Sequence, residues 1–257
     1  MIRPAHLPAH RSPSAWHPVP VPVPKAPKGS RGAGRAGGRR RAPELVYLEI
    51  GQRRVFAAAL DWPGWCRPGR DEQAALEALS TYAERFEPVA SRAGLPFRYE
   101  PAAEFDVRER LAGSATTDFG APGAVRPDDD EPMALREIKR TLALLQASWA
   151  TFADVVASAP ATLREGPRGG GRDRGAIAEH VVGAEVEYAR KLGLARRKLT
   201  AADAGAVEAM REEIAGALRA LAGGGRSTAK GWPARYAARR LAWHVLDPAW
   251  EIEDKSS

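Results

Sequence analysis

Between residues 135 and 156 the apolar residues Leu135, Ile138, Leu142, Leu145, Trp149, Phe152 and Val156 recur at intervals of three and four without a break. Large apolar side chains at that period share one side of the chain only in an α-helix, here of about six turns. One amphipathic helix cannot hide its own stripe, so this one demands partners. Three more helical segments follow. Residues 174–192 carry Ile177, Val181, Ala184 and Tyr188. A third helix opens at Thr200, with Asp203 completing a variant capping box, and runs through Val207, Met210, Ile214 and Leu221 to Gly223. The fourth starts at Trp232, with Pro233 in the first turn, where a missing N–H does no harm. Four amphipathic helices joined by short Gly-rich breaks predict a four-helix bundle over residues 131–257.

The preceding stretch has a different period. Val46, Leu48 and Ile50 alternate with Tyr47 and Glu49, which predicts a half-buried strand. Gly51-Gln52 supplies a turn, and residues 54–60 read as a second strand with Val55, Ala57 and Ala59 on one face, so the two form a hairpin. A helix begins around Asp71, its N-cap, with Leu76, Leu79, Ala83 and Phe86 as its apolar stripe. Shorter strands are expected at Phe97–Tyr99 and Phe105–Val107. Gly120, Pro122, Gly123 and Pro127 lead into Asp128-Asp129-Asp130, a linker ending in negative charge at a helix start. The expected class is α+β: a disordered tail over residues 1–43, a small β-sheet plus helix domain over 44–112, a linker over 113–130 and the bundle over 131–257.

Charge confirms that division. The formal net charge of +7 suggests nucleic acid at first. Residues 1–43, however, hold nine Lys and Arg and no Asp or Glu, so removing that +9 leaves −2 for residues 44–257. Nucleic acid is thus not an expected partner beyond the tail. The tail's Val-Pro repeat and Gly/Arg stretch cannot bury enough apolar surface to fold, and it reads either as an arm for RNA or an anionic surface or as a disordered leader. No apolar run approaches the roughly 18 residues a membrane span requires. The single cysteine, Cys66, excludes an internal disulfide framework and fits a reducing, cytoplasmic compartment. It reads either as a small buried hydrophobe or as a reactive thiol beside Arg67.

Two resemblances follow. The two strands, the run from Leu60 through Asp61-Trp62-Pro63-Gly64-Trp65 to Cys66, Gly69 before the helix, and Ala74-Ala75-Leu76 within it resemble the HicB-like domain over residues 45–88. That resemblance implies a small sheet with one face covered by helix, in a family whose antitoxins bind a small protein partner. Trp62 and Trp65 are the candidate binding residues, as anchors for a ligand or as a cover over the sheet's end.

The later helices resemble DinB-like bundles, which include thiol-dependent transferases. The resembling residues are Ile177 to Glu185, around His180, and Ala242 to Glu251, around His244. The resemblance implies a divalent metal (zinc, nickel or iron, for which imidazole is a good ligand) held by one histidine of the second helix and two of the fourth, spaced four apart. His180 and His244 match two positions; the third is Pro248, which has no ligand atom. Two carboxylates are candidates to replace it: Asp247, three residues after His244, by swinging inward, and Glu251, in line with His244 but about 10.5 Å along the axis, given a bend at Pro248. The other reading ends the helix near Leu246, with Asp247 capping a new turn. Two functions are expected from this reading. One is a two-module binding protein, with a small protein partner and a degenerate bundle keeping a weak metal site. The other is a metal-dependent transferase or hydrolase acting on a small thiol through His180 and His244.

Overall fold

The structure, a computed structural model, describes residues 42–99, 105–165 and 173–256. The tail expected over residues 1–43 lies almost wholly outside the described residues. What is described is an α+β fold. Three strands come first, β1 (Glu44–Ile50), β2 (Val55–Ala59) and β3 (Cys66–Gly69), then helices α1 (Glu72–Thr81) and α2 (Ala83–Arg92). Strand β4 (Phe105–Ala112) and the short helix α3 (Ala115–Phe119) lead through a 3-10 turn at Pro127–Asp130 into α4 (Leu135–Ser158). The helices α5 (Arg174–Lys191), α6 (Ala204–Ala220) and α7 (Ala234–Ser256) complete the chain.

The sheet runs β3-β2-β1-β4. The expected hairpin pairs β1 with β2 antiparallel, Val46 facing Ala59 and Ile50 facing Val55. β4 lies parallel to β1 with a bulge opposite Val46 and Tyr47. Strand β3 adds to the expected hairpin although Pro68 and Gly69 disfavour a strand. As an edge strand it tolerates a proline, whose missing N–H need not join a ladder. The expected strand at Phe97–Tyr99 is irregular. Its aromatic rings instead close the sheet's end, each 5.1 Å from Trp65.

Asp71 caps α1 as expected, accepting the Ala74 N–H at 2.8 Å. The single helix expected there breaks at Tyr82 into α1 and α2. Val46, Leu48, Val55 and Ala57 face these helices, packing on Leu79 and Phe86. The opposite face of the sheet is buried as well. Tyr47, Phe56, Ala58 and Cys66 pack on Trp243 of α7, so β1 is covered on both sides where its alternation predicted one. The reason is α7 itself, whose residues from Leu241 through Trp250 are all buried, between the bundle core and the sheet. Two glycines allow this closeness. Gly64 sits at a φ of 98°, and a Cβ there would lie 2.7 Å from a Leu246 methyl on α7; a Cβ at Gly69 would lie 2.1 Å from the Ala75 nitrogen. Neither position has room for a side chain.

Helices α4 to α7 enclose one core, built from Leu142, Leu145, Ile177, Met210, Ile214 and Leu241 among others. Leu135, the first residue of the predicted seam, is 69% exposed, because it begins α4 ahead of the packed region. α7 is one continuous helix through Pro248, where the sequence suggested an end near Leu246 or a bend. Proline removes one backbone bond to the His244 carbonyl. Packing on all sides of α7 holds the helix in spite of that loss.

The stretch expected as a linker is a structured strap. Buried Glu49 on β1 accepts hydrogen bonds from the Thr117 hydroxyl and from the Gly123 and Ala124 N–H groups, the last two at 2.9 Å. Buried Asp129 receives both arms of Arg239 from α7, at 2.6 and 2.7 Å. One end of the strap is thus tied to the sheet and the other to the bundle. Among the described residues no helix is long and apolar enough to cross a membrane.

Candidate functional site

The two histidines lie on neighbouring helices and converge. His180 stands three residues after buried Ile177 on α5, and His244 seven after buried Ala237 on α7. Their ring centroids are 5.0 Å apart with planes inclined by 36°. His180 is exposed and His244 is 7% exposed, so the pair opens to solvent from the α5 side. Aromatic rings surround the inner imidazole. Tyr188 meets His244 edge-on at 5.4 Å, Trp232 lies 4.9 Å from Tyr188, and Trp243 is 5.9 Å from His244. The Arg240 guanidinium sits 5.0 Å over Trp243 and 5.6 Å over Tyr188.

Two adjacent imidazoles fit the nitrogen portion of a zinc, nickel or iron site. The residue needed to complete a DinB-like set does not join them. Asp247 points to the sheet, where its Oδ1 accepts from an Arg67 terminal nitrogen at 2.6 Å. Both partners are buried. Arg67 is further held by stacking 3.8 Å over the Tyr82 ring. Burial pushes the Asp247 carboxyl up to about 6, against the pull of Arg67. Glu251, one turn beyond, accepts from Lys255 at 2.6 Å. Among the described residues, no group of three or more His, Cys, Asp and Glu side chains is placed to hold one metal ion. The histidines therefore form a pair, and the three-ligand set implied by the resemblance does not fit.

Trp62 and Trp65 are core residues, 5% and 0% exposed. Trp65 donates its ring N–H to the Leu79 carbonyl at 2.8 Å and stacks on Phe86. Trp62 packs edge-on against Phe97 at 4.8 Å. As anchors for a ligand they are turned the wrong way; they cover the end of the sheet. Cys66 is buried too, and burial with the nearby Glu49 charge pushes its thiol far above the ordinary value, which leaves little thiolate to react.

Sequence reasoning missed a further buried group. Glu185 on α5, 0% exposed, accepts from the Trp149 ring N–H and from Arg211, whose terminal nitrogen is 2.9 Å away. Burial pushes its carboxyl up, and Arg211 opposes that. A signal existed: Glu185 follows Val181 by four and Ala178 by seven, so a charged residue lies in line with the apolar stripe. Trp149, counted as plain core, gives it a hydrogen bond.

No known family model, curated protein or solved structure matches the chain.

Proposed function

We propose that the chain is a two-module binding protein whose DinB-like bundle keeps a weak, two-imidazole metal site. One observation supports this reading: the Asp247 carboxylate, three residues after His244 on α7, is engaged by Arg67 at 2.6 Å. A buried ion pair is costly to break, because separation leaves an uncompensated charge in a poor solvent for it. Recruiting Asp247 to a metal would require that separation. The same contact makes the bundle a scaffold for the HicB-like unit, since Arg67 belongs to β3. With both faces of the sheet covered, partner recognition falls to the unit's rim, where β4 is an edge strand with Arg108 and Arg110 exposed.

The convergence of His180 and His244 favours a second reading, a metal-dependent transferase or hydrolase working on a small thiol. A metal with open positions would bind the thiolate and lower its pKa. The chain's own part would be to position the ion through the two imidazoles and to shield it with Tyr188, Trp232 and Trp243.

Metal titration of the tag-free protein separates the two. The binding reading expects zinc or nickel to bind one weak site that dialysis empties and that His180→Ala abolishes. Near-stoichiometric metal that survives dialysis and is lost in His180→Ala would overturn it in favour of the enzyme.

A further inference from the structure

We propose that a cleft at the junction of the two modules binds a phosphate group, with Arg140 as its principal ligand. This site is separate from the histidine pair and does not depend on the function proposed above. It encloses about 130 Å³ between the turn after β2, the strap, and helices α4 and α7. Four guanidinium groups line it, from Arg126, Arg140, Arg235 and Arg239. Like charges in so small a volume repel unless each has a counter-charge.

Three of the four have one. Arg126 donates to Glu109 at 2.6 and 3.1 Å, and Arg239 to Asp129 at 2.6 and 2.7 Å. Arg235 donates to Glu137 at 2.9 Å and to the carbonyls of Asp128, Glu131 and Pro132. These three brace the strap and the bundle. Arg140 differs. Its Nε donates to the Asp61 carbonyl at 3.0 Å and its guanidinium lies 3.9 Å over the Trp62 ring. Among the described residues no carboxylate is hydrogen-bonded to it. The charges of Asp61 and Glu44 act on it only partly: burial, reinforced by Arg136, holds its pKa below the ordinary arginine value. Arg235, hydrogen-bonded to Glu137, is shifted the opposite way. Arg140 is thus a half-buried cation whose lost hydration is replaced only in part, by the Asp61 carbonyl and the Trp62 ring.

The way Arg140 is held defines what it can bind. Stacking on Trp62 and the single Nε bond fix the plane of the guanidinium, leaving its two terminal nitrogens as a fork. Such a fork matches two oxygens of a phosphate or carboxylate. The cleft is far below the roughly 300–1,000 Å³ of sites for drug-sized molecules, so only a compact group enters. The other three guanidinium groups are balanced by their own carboxylates, so the anion is held by the charge and fork of Arg140, with the surrounding walls limiting its size. Thr141 beside Arg140 adds a hydroxyl to the lining. Two carboxylates oppose an anion there. Glu137 is already balanced by Arg235, and Asp61 is exposed and screened by water.

The test is calorimetric titration of the full chain with inorganic phosphate at constant ionic strength. The expected result is saturable one-to-one binding that weakens about tenfold or more in Arg140→Ala, the scale of losing charge-assisted hydrogen bonds. Arg140→Lys, which keeps the charge and loses the fork, should fall between. Thr141→Val preserves shape and should weaken binding several-fold by the loss of one donor; it carries the test with Arg140→Lys if Arg140→Ala does not fold. A parallel titration with phenyl phosphate identifies the source. Binding at least as tight as inorganic phosphate marks the cleft as holding the phosphate end of a larger molecule, and exclusion of phenyl phosphate marks a free-ion site. Equal binding by wild type and all three variants, or an effect reproduced by chloride at the same ionic strength, would overturn the proposal.

Discussion

Arg67 on β3 and Asp247 on α7 meet at 2.6 Å across the seam between sheet and bundle, although 180 residues separate them in the chain. Their side chains are 10% and 2% exposed. The contact fixes the small unit on the bundle, and it commits the carboxylate three residues after His244 on α7. Tyr82 and Trp250 flank the guanidinium, the first at 3.8 Å and the second at 5.5 Å. Several consequences can be measured.

Removing one partner strands the other. Arg67→Met should cost about 3–5 kcal/mol, the usual loss when one member of a buried pair is deleted. Replacing both, as Arg67→Met with Asp247→Leu, should recover most of that, because no buried charge remains. Urea denaturation of the three chains gives the answer. A single variant as stable as the wild type would show that the pair contributes nothing.

The same carboxylate predicts a pH dependence. Asp247 titrates at about 6 in the folded chain, above the roughly 3.9 of an unfolded aspartate. The folded state therefore holds the proton more tightly. Its contribution is fully present below about pH 4 and is lost as pH rises through 6, a fall of about 3 kcal/mol at 1.36 kcal/mol per pKa unit. Asp247→Asn cannot titrate. The wild-type stability minus that of the variant should thus decrease between pH 4 and 6 and then level off, with the similarly raised Glu185 cancelling in the difference. A difference that grows with pH would contradict the burial argument.

Glu49 predicts the behaviour of the strap. Its carboxylate accepts the Gly123 and Ala124 N–H groups and the Thr117 hydroxyl in a buried site. Glu49→Gln places an N–H₂ group where acceptor oxygens are needed, at a cost of about 1–3 kcal/mol for the groups left unsatisfied. Amide exchange at Gly123 and Ala124 should speed up in this variant more than exchange in α4. Unchanged protection at both amides would mean that other contacts hold the strap.

The tryptophans should respond as core. Trp65→Ala should cost about 3–5 kcal/mol through the cavity it leaves. Trp65→Phe should cost less and still destabilise, since the Leu79 carbonyl loses its donor at 2.8 Å. Thermal unfolding of both reports this, and an unchanged midpoint for Trp65→Ala would contradict the burial.

Much of the architecture was already legible in the residues. The three-and-four spacing from Ile138 to Phe152 marked a helix that needs partners, and the alternation around Leu48 marked a strand. His180 beside Ile177 and His244 in line with Ala237 could be placed on packed helices, because a period reports which side of its own element a residue occupies. It does not report what covers the other side. Glu49 looked like the solvent face of a strand and is buried under the strap; Asp247 looked like a neighbour of the histidines and turns to Arg67. Trp62 left two readings open, a ligand anchor or a cover over the sheet's end, and it is the cover. Each of those outcomes depends on groups tens or hundreds of residues away. Local sequence sets the period and the caps through short-range sterics and hydrogen bonds, whereas the partner of a buried charge is chosen by how the packed elements bring distant chain segments together.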